Sequence, residues 1–221
     1  MIPSRTGRVG SSRVKDRPSR AEKTRLTRRR IVAAAAKAFL DQGYGATTLD
    51  QVAALQTVYF HFGNKATLLK EALDVAAVGD DEPVALLDRP WLEELATEPD
   101  PVRVIELWTN GGREIMGRVA PLLAVVRGTV GTDPDLAAQW GVNEGQRRVA
   151  FRALADRAAL RPGLTVENAA DLAFLITSAE NYIVATGTLG WSPERWQSTT
   201  ATLLARELLG ETAAQAPDEE L

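Results

Sequence analysis

The residues with chemistry to offer lie close together near one end of the chain. Thr47, Thr48, Gln51, Gln56, Thr57, Tyr59, His61 and Lys65 all fall within residues 47–65, and His61 is the only histidine in 221 residues. Hydroxyls, amides, a phenol, an imidazole and an ammonium group are hydrogen-bond donors suited to phosphate oxygens and base edges. They are poorly suited to catalysis here. One histidine set among aromatics leaves no Ser-His-Asp constellation and no imidazole cluster for a metal, and no P-loop or glycine-rich dinucleotide fingerprint is present. The absence of cysteine removes thiolate ligands and any disulfide framework. Acidic pairs such as Glu93 and Glu94 read as solvated charges. The expectation is a protein that is not an enzyme, with no cofactor and no metal.

Charge points the same way. The net charge of −3 conceals a division: residues 1–30 carry nine Arg and two Lys against Asp16 and Glu22. One end is therefore strongly basic and the remainder strongly acidic, as expected when one end meets nucleic acid. Residues 1–18 are polar, basic and punctuated by Gly, Ser and Pro, so they read as a disordered arm, either a plain solvated tail or a source of sequence-independent phosphate attraction. No run of eighteen apolar residues offers a membrane span, and a cytoplasmic protein without membrane contact is the simple expectation.

Positioning these residues falls to helices. Ser19 with Glu22 has capping-box spacing, and a helix runs from there to about position 42, where Gly43 suits a left-handed stop. Ile31, Ala34, Ala35, Ala38 and Phe39 line its apolar face, with Arg25, Arg28 and Arg29 largely elsewhere. Thr48 and Gln51 repeat the capping-box spacing. Val58, Tyr59, Phe60 and Phe62 crowd apolar bulk together before Gly63, and Asn64 caps the next helix, which carries Leu68, Leu69, Ala72, Leu73 and Ala76 to about position 78. Lys65 in the first turn of that helix opposes the helix dipole, a conflict that a bound phosphate would relieve.

Three segments of this region resemble the DNA-binding domain of the TetR family of bacterial transcriptional regulators: the basic helix leading to Gly43 and Tyr44, the block TTLDQVA, and TVYFHFGNKATLL, together about residues 24–73. The resemblance implies an all-α protein whose N-terminal three-helix domain reads DNA by a helix-turn-helix, followed by a larger helical body for ligand binding and dimerisation. It implies phosphate contacts from Thr48, Tyr59, His61 and Lys65, with Gln56 and Thr57 near the bases. Arg28, Thr47 and Gln51 complete the candidate DNA-binding set. One departure stands out. Between Leu55 and Thr57 the chain has only Gln56, about five residues fewer than the family's pattern, and a helix-turn-helix needs a three- or four-residue turn. Val52, Leu55, Tyr59 and Phe62 also fit one uninterrupted helix. Two readings follow: a ligand-responsive repressor on a palindromic operator, or a helical ligand-binding dimer with impaired DNA binding.

The body reads as helical throughout, with no alternating strand pattern of useful length and no internal repeat. The acidic stretch 79–83 is the expected domain boundary, which divides the chain into a DNA-binding domain over 19–78, a regulatory domain over 84–210 and a flexible tail over 211–221. Helices are expected over about 90–96, from Asp100 and Pro101 onward with Pro121 breaking or restarting that helix, from Asp133 and Pro134, from Thr165 to about 186, and from Ser192 and Pro193 to about 209. The helix from Thr165 is apolar nearly all round, and the last one carries a narrower apolar stripe. By the resemblance these last two helices pair between two subunits of a homodimer, with Leu172, Ile176, Ile183, Trp196 and Leu203 as interface candidates, although a core within one chain explains the same pattern. Trp108, Gly112, Met116, Trp140 and Tyr182 could line a pocket, Gly111 and Gly112 leaving room inside a bundle. With no charge cluster in view, a small apolar or amphipathic effector is the expectation.

Overall fold

The structure is a computed structural model that describes residues 19–79 and 90–210. Every element in these residues is helical: α1 (Arg20–Ala46), α2 (Leu49–Val52), α3 (Leu55–Phe62), α4 (Lys65–Val78), α5 (Pro90–Thr97), α6 (Pro101–Thr129), α7 (Pro134–Arg157), α8 (Val166–Ile176), α9 (Ala179–Ile183) with a following π turn (Val184–Thr188), and α10 (Pro193–Leu209). None of them is long and apolar enough to cross a membrane. The arm over 1–18, the tail over 211–221 and most of the acidic boundary lie outside the described residues.

The starts follow side-chain chemistry. Ser19 and Glu22 form the reciprocal box, with the Ser19 Oγ accepting from the Glu22 N–H at 3.2 Å and Glu22 Oε2 accepting from the Ser19 N–H at 2.6 Å. Asn64, Asp100, Asp133, Thr165 and Ser192 each accept a backbone N–H of the helix they precede, filling donors that a helix start leaves open. Gly43 interrupts α1 at φ 81°, a backbone angle glycine adopts at little cost.

Three expectations about continuity are corrected. The stretch 52–62 is two helices, not one: Ala53 (φ −164°, ψ 174°) and Ala54 (φ −50°, ψ 121°) are extended, so a two-residue connection suffices once α2 is reduced to a single turn. Pro121 neither breaks nor restarts α6, which passes through it. Pro121 and Gly117 are both solvent-accessible, so water can reach the carbonyl left without a donor. The helix expected over 165–186 breaks at Thr177. There Thr177 Oγ1 donates to Ala173 O at 2.8 Å, Ser178 Oγ accepts from the Asn181 N–H at 3.2 Å and Asn181 Nδ2 donates to Leu175 O at 2.8 Å. Short polar side chains competing for the backbone outweigh apolar periodicity at that point.

Head and body share a core. Ile31, Phe39, Val58, Phe62, Leu68 and Leu69 from the head cluster with Val119, Leu122, Leu123, Val126, Leu136 and Trp140 from α6 and α7. A second cluster joins α5, the start of α6, the end of α7, α8 and α10 around Ile105, Phe151, Leu154 and Leu204. A third, smaller one holds Ala120, Tyr182, Ala185 and Trp196.

Candidate nucleic-acid interface

The interface is built on α3. Val58 is fully buried and Phe62 is 5% exposed; four residues apart, they form the inner edge of the helix and seat it on the head's core. Steps of 100° per residue put Gln56 and Phe60 on the opposite side with Tyr59 flanking, and all three are exposed. Phe60 stands 82% exposed. Sequence reasoning grouped it with the apolar crowd and missed it as a surface residue, yet the Val58–Phe62 spacing alone puts residue 60 outward. Thr57 and His61 lie half-buried on the flank. The His61 ring meets Phe60 edge-on at 5.1 Å, which orders that aromatic at the surface.

The single turn of α2 leads into this face. Gln51 Oε1 accepts from the Thr48 N–H at 2.9 Å, fastening the start of α2. The Thr48 hydroxyl holds the Asp50 carboxyl below the usual carboxylate range. Thr48 and Gln51 are both exposed beside α3.

Three other candidates are engaged by contacts within the chain. Thr47 is 1% exposed, and its hydroxyl donates to Gly43 O at 2.8 Å, so it closes the corner after α1 and turns nothing toward a duplex. Arg28 donates from Nη1 to His61 O at 3.0 Å, pairs through Nη2 with Glu71 at 2.6 Å and lies over the Phe62 ring at 4.6 Å. It thereby ties α1 to the end of α3 and to α4. Lys65 settles its conflict with the helix dipole by bending away from its own helix start. Its ammonium donates to Tyr44 O at 2.8 Å and Thr47 O at 3.0 Å and stacks on the Tyr44 ring at 4.3 Å. Burial draws its pKa below the ordinary lysine value, with Asp133 opposing. Arg28 and Lys65 orient α3 and α4, a role that spacing in sequence could not reveal.

Contacts behind the site tie it to the body. The Tyr44 hydroxyl donates to Asp133 Oδ2 at 2.8 Å, Asn64 Nδ2 to Asp135 Oδ2 at 3.4 Å, and Arg118 to the carbonyls of Ala76 and Ala77 at 2.8 and 2.9 Å. Arg118 thus caps the end of α4 from α6.

The body residues picked out by sequence do not converge. Trp108 packs with the second cluster, Trp140 with the first and Tyr182 with the third, while Met116 lies against the first and third. The room beside Gly111 is filled by Trp91, whose ring atoms would lie 2.7 Å from an added Cβ, and Gly112 faces no neighbour within 4 Å. Of the interface candidates, Trp196 is 3% exposed and meets Tyr182 edge-on at 4.9 Å, so it belongs to this chain's own core. Leu172, Ile176 and Ile183 are half-buried, and Leu203 is 43% exposed. Leu175, 64% exposed, adds an apolar residue that the sequence pattern does not single out.

Comparison with known proteins bears on the whole arrangement. Residues 31–72 match the family described as bacterial regulatory proteins, tetR family. No curated protein matches the chain. Among solved structures, NalD of Pseudomonas aeruginosa, the secondary repressor of the MexAB-OprM multidrug efflux pump, is similar with a TM-score of 0.62 at 22% identity, over 86% of this chain and 97% of that one. A putative transcriptional regulator from Saccharomonospora viridis in complex with choline gives 0.60 at 14% identity, over 83% and 97%. PfmR of Thermus thermophilus, a TetR family transcriptional regulator, gives 0.55 at 18% identity, over 82% and 98%. At these identities the structures show a shared fold, and the matched segment spans α2, α3 and most of α1 and α4. Residues 31–72 are thus similar to the tetR family of bacterial regulatory proteins, and the chain as a whole shares the fold of these solved regulators.

Proposed function

We propose that the protein is a ligand-responsive repressor that binds a palindromic operator as a homodimer. The observation that carries the reading is the two-sidedness of α3. Val58 and Phe62 anchor it while Gln56, Tyr59 and Phe60 face outward, at the basic end of an otherwise acidic chain. Laid in a major groove, Gln56 and Thr57 discriminate bases, and Tyr59, His61 and Thr48 fix register on the phosphates. Gln51 stands beside them. Arg28, Thr47 and Lys65 hold the reading helix in place. A twofold dimer through the exposed parts of α8 and α10 presents two such helices to two half-sites. The domain division drawn from the sequence fits this division of labour, with α6 and α7 relaying changes in the body to the head.

The alternative, a ligand-binding dimer with impaired DNA binding, rests on the missing turn. Since α2 and α3 are separate helices, that support is weak. A gel-shift titration with duplex DNA from upstream of the coding region, at several salt concentrations and against unrelated duplex, tests the reading. Preferential binding that falls steeply with salt is expected. Equal, weak affinity for both duplexes would leave the alternative standing.

A further inference from the structure

The body carries buried polar atoms that the fold leaves unmatched. Trp140 Nε1, Asn143 Oδ1 and Arg147 Nη2 are shielded from solvent and have no hydrogen-bond partner. They recur at intervals of three and four along α7 and so share one face. An orphaned polar atom costs free energy, and three in one stripe call for a compensating use. Asn143 can turn its amide to present the NH2, since the two ends of that group have the same shape. The stripe then offers an indole N–H and a guanidinium, which only donate, and an amide NH2 beside its own carbonyl oxygen.

The surroundings define what these donors suit. The Arg147 guanidinium lies over the Phe174 ring at 4.7 Å, and Phe174 leads edge-on to Phe151 at 5.6 Å and on to Trp108 at 5.2 Å. An aromatic wall thus adjoins a cation. The nearby glutamates are already engaged: Arg127 holds Glu144 at 3.4 Å and Glu180 at 2.6 Å and covers the Trp140 ring at 5.1 Å. Desolvation draws the Arg147 pKa down. The stripe also sits at a seam, since Trp140 belongs to the core shared with the head whereas Phe151 and Phe174 belong to the other large cluster.

We propose that the α7 face bearing Trp140, Asn143 and Arg147 is the polar end of an effector seat and takes the carboxylate of an otherwise apolar acid, whose hydrocarbon part lies against Phe174 and Phe151. The proposal rests on reading the body as an effector domain, and it narrows the apolar or amphipathic expectation to an amphipathic acid. A carboxylate meets the guanidinium fork with two parallel charge-assisted bonds.

Isothermal titration of the full-length protein with phenylacetate, 4-phenylbutyrate and decanoate, each beside its primary amide and the amine of equal chain length, tests this. At least one acid is expected to bind about tenfold or more tighter than its amide, one tenfold step being the scale of a single charge-assisted contact. Arg147→Met should abolish that preference without lowering the melting temperature, because a charge withdrawn from water is removed. Arg147→Lys, which keeps a charge but loses the fork, should narrow the preference if Arg147→Met fails to fold. Acids that bind no tighter than their amides overturn the seat, as does a preference that survives both substitutions. Release of fluorescent upstream DNA is read separately. Acid binding through Arg147 with DNA affinity unchanged upholds the seat and sinks the effector reading; release by an amide or amine with no acid bound does the reverse.

Discussion

Phe60 illustrates how one residue's role depends on the face it occupies. It is as apolar as Phe62, yet one is 82% exposed and the other 5%. Phe60→Ala should leave the urea midpoint nearly unchanged, since the ring covers little of the core, while weakening operator affinity by roughly fivefold, the scale of one apolar contact to a base methyl. Equal loss of stability and binding would mean that the ring is structural. Gln56→Ala should instead change which half-site is preferred, measured by competition among duplexes that differ at one position. Lys65→Ala behaves differently from a plain phosphate contact. It removes the two carbonyl contacts at 2.8 and 3.0 Å, so lower affinity for all duplexes should come with a lower urea midpoint.

Helix boundaries are where periodicity and local chemistry compete. Ala54 has φ −50°, close to proline's fixed angle, and Ala53 before it is extended, as a residue preceding proline must be. Ala54→Pro should therefore stabilise the fold by roughly 0.4–1 kcal/mol by restricting the unfolded chain and should keep DNA binding. Were 52–62 one helix, the same change would cost about 3 kcal/mol or more, which thermal denaturation would register at once. The break at Thr177 has a similar origin. Ser178 takes the Asn181 N–H and Asn181 the Leu175 carbonyl that a continuous helix would have used, while Ala173 O accepts both the Thr177 N–H and its hydroxyl, and the bend positions Glu180 at Arg127.

Across the whole molecule, the joint between head and body is polar at its edge and apolar within. Burial and the bond to Asp133 push the Tyr44 pKa well above the ordinary phenol value, and the Leu136 N–H with that same bond holds the Asp133 carboxyl below its ordinary value. Each shift sets a window. A raised tyrosine pKa contributes stability that is intact below about pH 10 and declines above it, as the unfolded chain gains by ionising. A depressed carboxyl contributes stability at neutral pH that is lost as pH falls through the acid range. Tyr44→Phe should cost about 1 kcal/mol at pH 7, and the gap to the unsubstituted protein should narrow from about pH 10 upward in chemical denaturation. A gap that stays constant would show that the bond is not the source. For the proposed dimer, Leu175→Arg should yield monomers in sedimentation and reduce operator affinity, while the melting of each subunit's own core changes little, because the residue is 64% exposed.

Much of this protein is legible in the order of its residues. Capping residues, prolines at first helical positions and Gly43 mark most helix starts and one stop, because those signals act within four residues of one another. The basic arm and the acidic remainder are a matter of counting. Tertiary structure alone decided the rest. Lys65 and Arg28 read as candidate DNA contacts, and only folding brings the carbonyls of Tyr44, Thr47 and His61, distant in the chain, within their reach. Trp196 reads as an interface residue until Tyr182 packs against it. Arg147, which the sequence pattern does not single out, is set apart only when burial leaves its Nη2 without a hydrogen bond. Local signals act through backbone groups a few residues apart, whereas what a long side chain does depends on which distant atoms folding places within its reach.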